Sequence, residues 1–171
     1  MIVSIVGPES SGKTSLATAL AEELSTTWLP EYAREYLSGR PDYTELDLEE
    51  IAREQLAREE AFIEAHPGAG ILDTDLIVIA IWWREQFGQV PDWVERHLDH
   101  QPLRHYLLTR PDLPWEPDPL RVSPHDRERL FGLYRELLSN RGFAFSEIYG
   151  QGPIRLERAL DAVAGSTPGI R

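Results

Sequence analysis

Gly7-Pro8-Glu9-Ser10-Ser11-Gly12-Lys13-Thr14 constrains this chain more than any other stretch. The apolar run Ile2-Val3-Ser4-Ile5-Val6 precedes it, and apolar residues at helical spacing (Leu16, Ala17, Ala19, Leu20, Leu24) follow it. The stretch satisfies G-x-x-x-x-G-K-[ST] with a strand before it and a helix after it, the context in which that pattern cradles phosphate. Glycines let the backbone wrap an anion without a Cβ clash. The loop amides and the helix N-terminus then face the negative charge. Lys13 supplies a mobile point charge for β/γ-phosphates, and the Thr14 hydroxyl is a ligand for Mg²⁺. The pattern specifies a nucleoside triphosphate but not a reaction, because switches, motors and transferases all use it.

Composition narrows the partners. A chain of 171 residues reads as one domain with a full core. A formal net charge of −12 disfavours general binding to nucleic acid or to anionic membranes, which reward a basic face. No cysteine is present, so disulfides, thiolate nucleophiles and Cys-based zinc sites are excluded. His66, His97, His100, His105 and His125 show no metal-ligand spacing. The longest apolar run, Leu76 to Trp83, is far below the ~20 residues that span a bilayer. The first residues read as a strand rather than a secretory leader, so a cytoplasmic location is expected.

Five short apolar segments read as strands: Ile2–Val6, Thr27–Pro30, Gly70–Leu72, His105–Thr109 and Ala144–Ile148. Helical patterns separate them. Lys13–Leu24 follows the loop. Leu46–Ala65 opens on a capping-box-like Thr44 and Asp47. Leu76–Phe87 ends at Gly88, a natural C-cap. A shorter helix lies near Trp93–Leu98. Pro124–Leu138 has Ser123 as N-cap, Pro124 at N1 and Asp126 at N3, and Ile154–Val163 closes the chain. The alternation predicts an α/β fold, a five-stranded parallel sheet with helices on both faces, as one domain over 1–165 with a tail at 166–171. Ligands of such sheets bind at the carboxyl ends of the strands.

The residues that follow each strand are therefore the candidate site. Glu31, Tyr32 and Arg34 follow the second strand; Asp73 and Asp75 follow the third. Asp73 suits a magnesium-organising acid, whereas Asp75 is placed either for substrate or for capping the next helix. Glu31 suits an acceptor-orienting base, against the alternative of a surface ion pair with Arg34 or Arg40. After the fourth strand, Arg110 to Arg121 carries Pro111, Pro114, Pro117 and Pro119, a stiffened loop ending in Arg121. Arg121 suits transition-state charge; Arg127 is open between site and surface, and Arg129 reads as solvated, paired with Glu128 and Glu136. Among the aromatics, Trp82, Trp83 and Trp93 read as core, which leaves Trp115 and Tyr32 as ring-stacking candidates.

G-P-E-S-S-G-K-T-S, W-L-P-E-Y-A-R-E-Y-L, I-L-D-T-D-L and L-L-T-R-P-D-L-P-W-E-P-D-P-L-R, in this order, resemble the kinase domain of NadR-like proteins, bacterial nicotinamide riboside kinases. The resemblance runs from about Met1 to Val163. It implies a P-loop kinase fold with a lid at about 110–122, and ATP with Mg²⁺ as cofactors. It implies ATP phosphates at Gly7, Glu9, Ser10, Ser11, Gly12, Lys13, Thr14 and Ser15. It further implies acceptor contacts at Glu31, Tyr32 and Arg34, a metal or ribose acid at Asp73, and lid positions at Trp115, Asp118 and Arg121. Family members often carry an adenylyltransferase domain, and some a DNA-binding domain, before the kinase. Here the P-loop strand starts at residue 2, so a stand-alone kinase is the expectation. The expected reaction is phosphorylation of nicotinamide riboside at its 5′-hydroxyl. A kinase for another nucleoside or small metabolite, or a partner-coupled ATPase, are the alternatives. A GTPase switch would need N-K-x-D and D-x-x-G segments, and neither occurs at the required place.

Overall fold

Strand β1 (Ile2–Val6) is the centre of a five-stranded sheet whose order is β2-β3-β1-β4-β5. The computed structural model describes residues 1–40, 42–117 and 125–166. Its other strands are β2 (Trp28–Leu29), β3 (Gly70–Asp73), β4 (Arg104–Thr109) and β5 (Phe145–Ile148). All pairings are parallel, and β1 sets the register, Ile5 opposite Asp73 on one side and Leu107 on the other. The helices are α1 (Lys13–Glu23), α2 (Tyr32–Tyr36), α3 (Glu45–Ala65), α4 (Leu76–Phe87), α5 (Asp92–His100), α6 (Arg127–Asn140) and α7 (Gly152–Ser166).

The three inner strands β1, β3 and β4 are buried on both faces, so the side chains of the sheet divide by parity. Val3, Ile5, Ile71, Leu107 and Ile148 pack with Leu16, Ala17 and Leu20 of α1 and Ala159 of α7. Val6, Tyr106 and Leu108 pack on the opposite face with α3, α4, α5 and α6. This is the expected sheet with helices on both sides. Local chemistry fixes several boundaries as expected. Thr44 and Asp47 close a capping box at the start of α3, and Gly88 (φ 84°) ends α4.

Most other boundaries shift by one to three residues, and three departures go further. The second strand shrinks to Trp28–Leu29, because β2 is an edge strand that pairs only through Ile71 and Leu72. The chain then coils at once into α2, which the sequence does not announce. Its one turn is held by burial of Ala33 and by edge contact of Tyr32 with Tyr36, ring centroids 5.9 Å apart. Helix α6 begins at Arg127 with Asp126 at its N-cap rather than N3. The Asp126 carboxylate is taken by Arg129, whose Nε donates to it at 2.8 Å, so it makes no capping bond. Ser123 and Pro124 lie outside the described residues.

Gly7 joins the loop to the sheet at a place where no side chain fits. Its φ is 144°, and a Cβ there would lie 2.4 Å from Thr109 Oγ1 and 2.7 Å from the Thr109 carbonyl oxygen. Thr109 cannot swing aside, because its hydroxyl sits within hydrogen-bond distance of both Val6 O (3.1 Å) and Ser11 Oγ (2.7 Å). Gly7→Ala is expected to lower stability by ~2 kcal/mol through overpacking and backbone strain. Equilibrium urea unfolding measures it, and a midpoint equal to that of the unsubstituted protein would refute the packing argument.

Candidate functional site

The phosphate loop is braced from within. Gly12 is the N-cap of α1 in a left-handed conformation (φ 76°, ψ 27°), so Lys13 and Thr14 are the first helical residues. The Ser11 hydroxyl donates to Pro8 O at 2.6 Å. Lys13 Nζ folds back over the loop onto the carbonyls of Gly7 (3.0 Å) and Pro8 (3.1 Å). These are weak partners for an ammonium, and an incoming anion would replace them with charge-assisted bonds. The loop ends at Thr14, whose hydroxyl donates to Asp73 Oδ2 at 2.6 Å.

Asp73 and Asp75 sit two residues apart with opposite fates. Thr74 between them has φ 74°, and its N–H bonds Ile5 O at 3.1 Å. This left-handed turn at a β-branched residue costs on the order of 1–3 kcal/mol. It leaves Asp73 on the loop and turns Asp75 into the core. Asp75 is fully buried, caps α4 by accepting from Ile77 N (2.9 Å), and pairs with Arg104 (3.2 Å), which also pairs with Glu59 at 2.7 Å. The substrate role expected for Asp75 is therefore corrected: it is a helix cap and core ion-pair member. Asp73 keeps one oxygen, Oδ1, buried with no hydrogen-bond partner among the described residues. A hydroxyl beside a carboxylate with a spare oxygen is an oxygen donor set that fits Mg²⁺, with phosphates and water completing the shell.

A cleft of about 730 Å³ opens from the loop toward the ends of α2, α4 and α6. The segment Gly7 to Ser15 lines one end. Glu31 and Arg34 reach the cleft, paired Oε2 to Nε at 3.3 Å. The ion pair weighed for Glu31 is thus real, but it lines the cleft. Beyond it stands a wall that sequence reading missed. Trp82 Nε1 donates to the Tyr43 hydroxyl at 2.7 Å, their rings meet edge-on at 4.9 Å, and Phe87 packs edge-on to Tyr43 at 6.4 Å. Asp42, Glu85 and Tyr134 complete that end.

Burial dominates the charges. It pushes the Lys13 ammonium down, and pushes the carboxyl groups of Glu31 and Asp73 up. Each also feels the others: the two acids raise Lys13, and Lys13 lowers both acids. All three nonetheless lean toward neutrality, because burial outweighs their mutual attraction. A polyphosphate beside Lys13 and a cation beside Asp73 would supply counter-charge.

Other expected positions fall elsewhere. Tyr32 packs against the core cluster with the Arg58 guanidinium 4.1 Å from its ring centre, away from the cleft lining. Trp115 also lies off the cleft, 5.8 Å from the Arg127 guanidinium, while its neighbours Leu113, Pro114 and Glu116 line it. Tyr32 and Trp115, expected to stack on the substrate ring, are therefore off the cleft, and the aromatic side chains that line it include Tyr43, Trp82 and Phe87. Trp83, by contrast, is core as expected, its Nε1 on Glu45. Arg129 pairs with Glu85 and Asp126 rather than with Glu128 and Glu136. Arg127 resolves toward the site, donating to the carbonyls of Ser10 (3.3 Å) and Leu113 (2.9 Å). Asp118 and Arg121 lie outside the described residues. Among the described residues no group of three or more His, Cys, Asp or Glu could hold a metal, and no helix is long and apolar enough to cross a membrane.

A parallel sheet in this order, with G-x-x-x-x-G-K-T between β1 and α1 and an acid at the end of β3, defines a P-loop nucleotide-binding protein with the fold of the nucleoside kinases. The chain belongs to the AAA_28 family of AAA domains, whose model matches residues 2–155. It is 26% identical over 153 residues to the trifunctional NAD biosynthesis/regulator protein NadR of Escherichia coli (strain K12), and equally to that of Salmonella typhimurium. Each alignment covers 85% of this chain, which spans 37% of the length of those relatives. Among solved structures, a NadR protein in complex with NR superposes with a TM-score of 0.81 at 22% identity, over 97% of this chain and 51% of that one. Deoxyadenosine kinase from M. mycoides with dCMP and dCDP superposes with a TM-score of 0.68 at 12% identity, over 96% and 100%. These likenesses match the expected resemblance and the kinase-type fold.

Proposed function

We propose that this protein is an ATP-dependent nucleoside kinase that phosphorylates the 5′-hydroxyl of nicotinamide riboside to give the mononucleotide. The observation that carries the reading is the wall of Tyr43, Trp82 and Phe87, with Asp42 and Glu85 in the same cleft as the phosphate loop. The ring of nicotinamide riboside is a flat, permanently charged pyridinium. Aromatic faces and carboxylates together attract such a cation, whereas neutral purines and pyrimidines gain only stacking. The relatives named NadR, and the NadR structure with NR bound, support the same acceptor.

The loop amides and Lys13 bind the β/γ-phosphates, and Thr14 with Asp73 would hold Mg²⁺, which neutralises phosphate charge when bound. Glu31 takes the proton of the 5′-hydroxyl as that oxygen bonds the γ-phosphorus and the bond to the β,γ-bridging oxygen breaks to release ADP, and Arg34 fixes the Glu31 carboxylate. The segment from Arg110 to Arg121 acts as a lid that excludes water and delivers Arg121.

A nucleoside panel tests the reading. With ATP and Mg²⁺, phosphorylated product measured by mass should form from nicotinamide riboside at least tenfold faster than from adenosine, cytidine or uridine. Trp82→Ala should raise the KM for the riboside about tenfold, leaving the KM for ATP near its starting value. Preference for a neutral nucleoside would transfer the protein to the deoxyadenosine-kinase-like alternative. Steady ATP hydrolysis without any phosphorylated nucleoside would favour an ATPase.

A further inference from the structure

Arg155 of α7 is one of the most heavily bonded side chains in the molecule, yet it does not itself line the cleft and stands 144 residues along the chain from the Ser11 it touches. It is buried, with 5% of its surface exposed. Its NH2 donates to Ser11 O at 2.6 Å and to Arg110 O at 3.1 Å. Its NH1 donates to Asp112 Oδ1 at 2.7 Å and to Gly150 O at 2.8 Å. One guanidinium thus ties the phosphate loop to the root of the lid segment and to the turn after β5. A buried charge is costly unless its donors are placed, and four placed bonds over three separate chain segments are far more than anchoring α7 requires.

The bond to Ser11 has a consequence for anion binding. In a trans peptide the carbonyl and the following N–H point in opposite directions. Holding the Ser11 carbonyl away from the cleft aims the Gly12 N–H into it. Arg127 does the same one residue earlier: its bond to Ser10 O directs the Ser11 N–H inward. Arg127 also grips Leu113 O, as Arg155 grips Arg110 O. Two arginines, from two helices, therefore orient consecutive amides of the loop, and both hold the start of the lid.

We infer that Arg155 is a positioning residue: its fork sets the peptide plane between Ser11 and Gly12 and couples the phosphate loop to the segment from Arg110 to Leu113. This inference rests on the nucleotide-binding reading proposed above. The charge alone is insufficient, because an ammonium at that place cannot bridge four acceptors in one plane.

Calorimetric titration of the whole chain separates the possibilities, using Mg-ADP, inorganic tripolyphosphate and nicotinamide riboside as probes. Arg155→Lys and Arg155→Met are expected to weaken Mg-ADP and tripolyphosphate binding by roughly tenfold or more, at a temperature where both variants keep their near-UV circular dichroism. Riboside affinity should stay within about twofold, since the cleft wall is untouched. Unchanged tripolyphosphate affinity in Arg155→Lys would overturn the inference, because charge would then suffice. Equal losses for phosphate probe and riboside would overturn it too, as the effect would be a general loosening. Should both variants fail to fold, Asp112→Asn decides. It removes the charged partner of NH1 and is expected to weaken tripolyphosphate about threefold, and an affinity equal to that of the unsubstituted protein would overturn the inference. Absence of ADP and tripolyphosphate binding by the unsubstituted protein would instead overturn the nucleotide reading itself.

Discussion

Lys13→Ala is expected to lower turnover about 10³-fold while the protein stays folded. The ammonium is the one mobile cation of the loop, now resting on the carbonyls of Gly7 and Pro8. Those two acceptors are buried backbone carbonyls of residues that line the cleft, so water entering the space left by the side chain can serve them, and the cost to stability is small. The cost to chemistry is not. Negative charge shifts onto the bridging and leaving oxygens as the γ-phosphoryl group departs, and Lys13 is the side chain placed to meet it. Initial rates at saturating ATP, with a melting curve of the same sample, check this. A turnover within threefold of the starting value would remove phosphoryl transfer from this loop. The same substitution has a second readout. Lys13 lowers the carboxyl groups of Glu31 and Asp73, so its removal lets burial push both higher. Whatever activity remains should shift to higher pH.

How much of this was legible beforehand depended on whether the controlling interactions were local. The phosphate loop, α1 and the start of α3 are written in contiguous residues: glycines where φ is positive, and Thr44 with Asp47 three residues on. The Asp-Thr-Asp segment shows the limit. Two identical acids are indistinguishable by type, and the left-handed turn at Thr74 that sends Asp73 to the loop and Asp75 to the core is set by the bond from Thr74 N to β1. Helix α4 hides its working face for a different reason. Leu76 to Trp83 is apolar all round, so periodicity cannot say which tryptophan is core. Trp82 and Trp83 lie 100° apart on the helix, and which of them faces the cleft depended on where α3 and α6 pack. Tyr43 gives no signal at all, since its role comes from Trp82, 39 residues away. Arg155 was invisible for the same reason: its partners are three carbonyls and the Asp112 carboxylate, on segments joined only by the fold.

Glu31→Gln is expected to reduce turnover about 10²- to 10⁴-fold with the KM for ATP near its starting value. Gln keeps the size of the side chain and one acceptor oxygen, so the cleft and the contact with Arg34 survive in weakened form. What disappears is the capacity to take a proton. The pH profile carries the stronger test. Burial raises the Glu31 carboxyl above its ordinary 4.5, while Lys13 and Arg34 pull it partly back. A base works only when deprotonated, so turnover should climb with pH through an apparent pKa above 4.5 and level off beyond it. In the glutamine variant that limb should vanish, leaving a low rate that is flat over the same range. Asp73 is also raised by burial, but its Oδ2 is already held by the Thr14 hydroxyl and its place is on the metal side of the loop. Asp73→Asn should therefore raise the Mg²⁺ concentration needed for half-maximal rate and retain the limb. A Glu31→Gln variant that keeps the rising limb, with Asp73→Asn losing it, would exchange the two roles and make Asp73 the base.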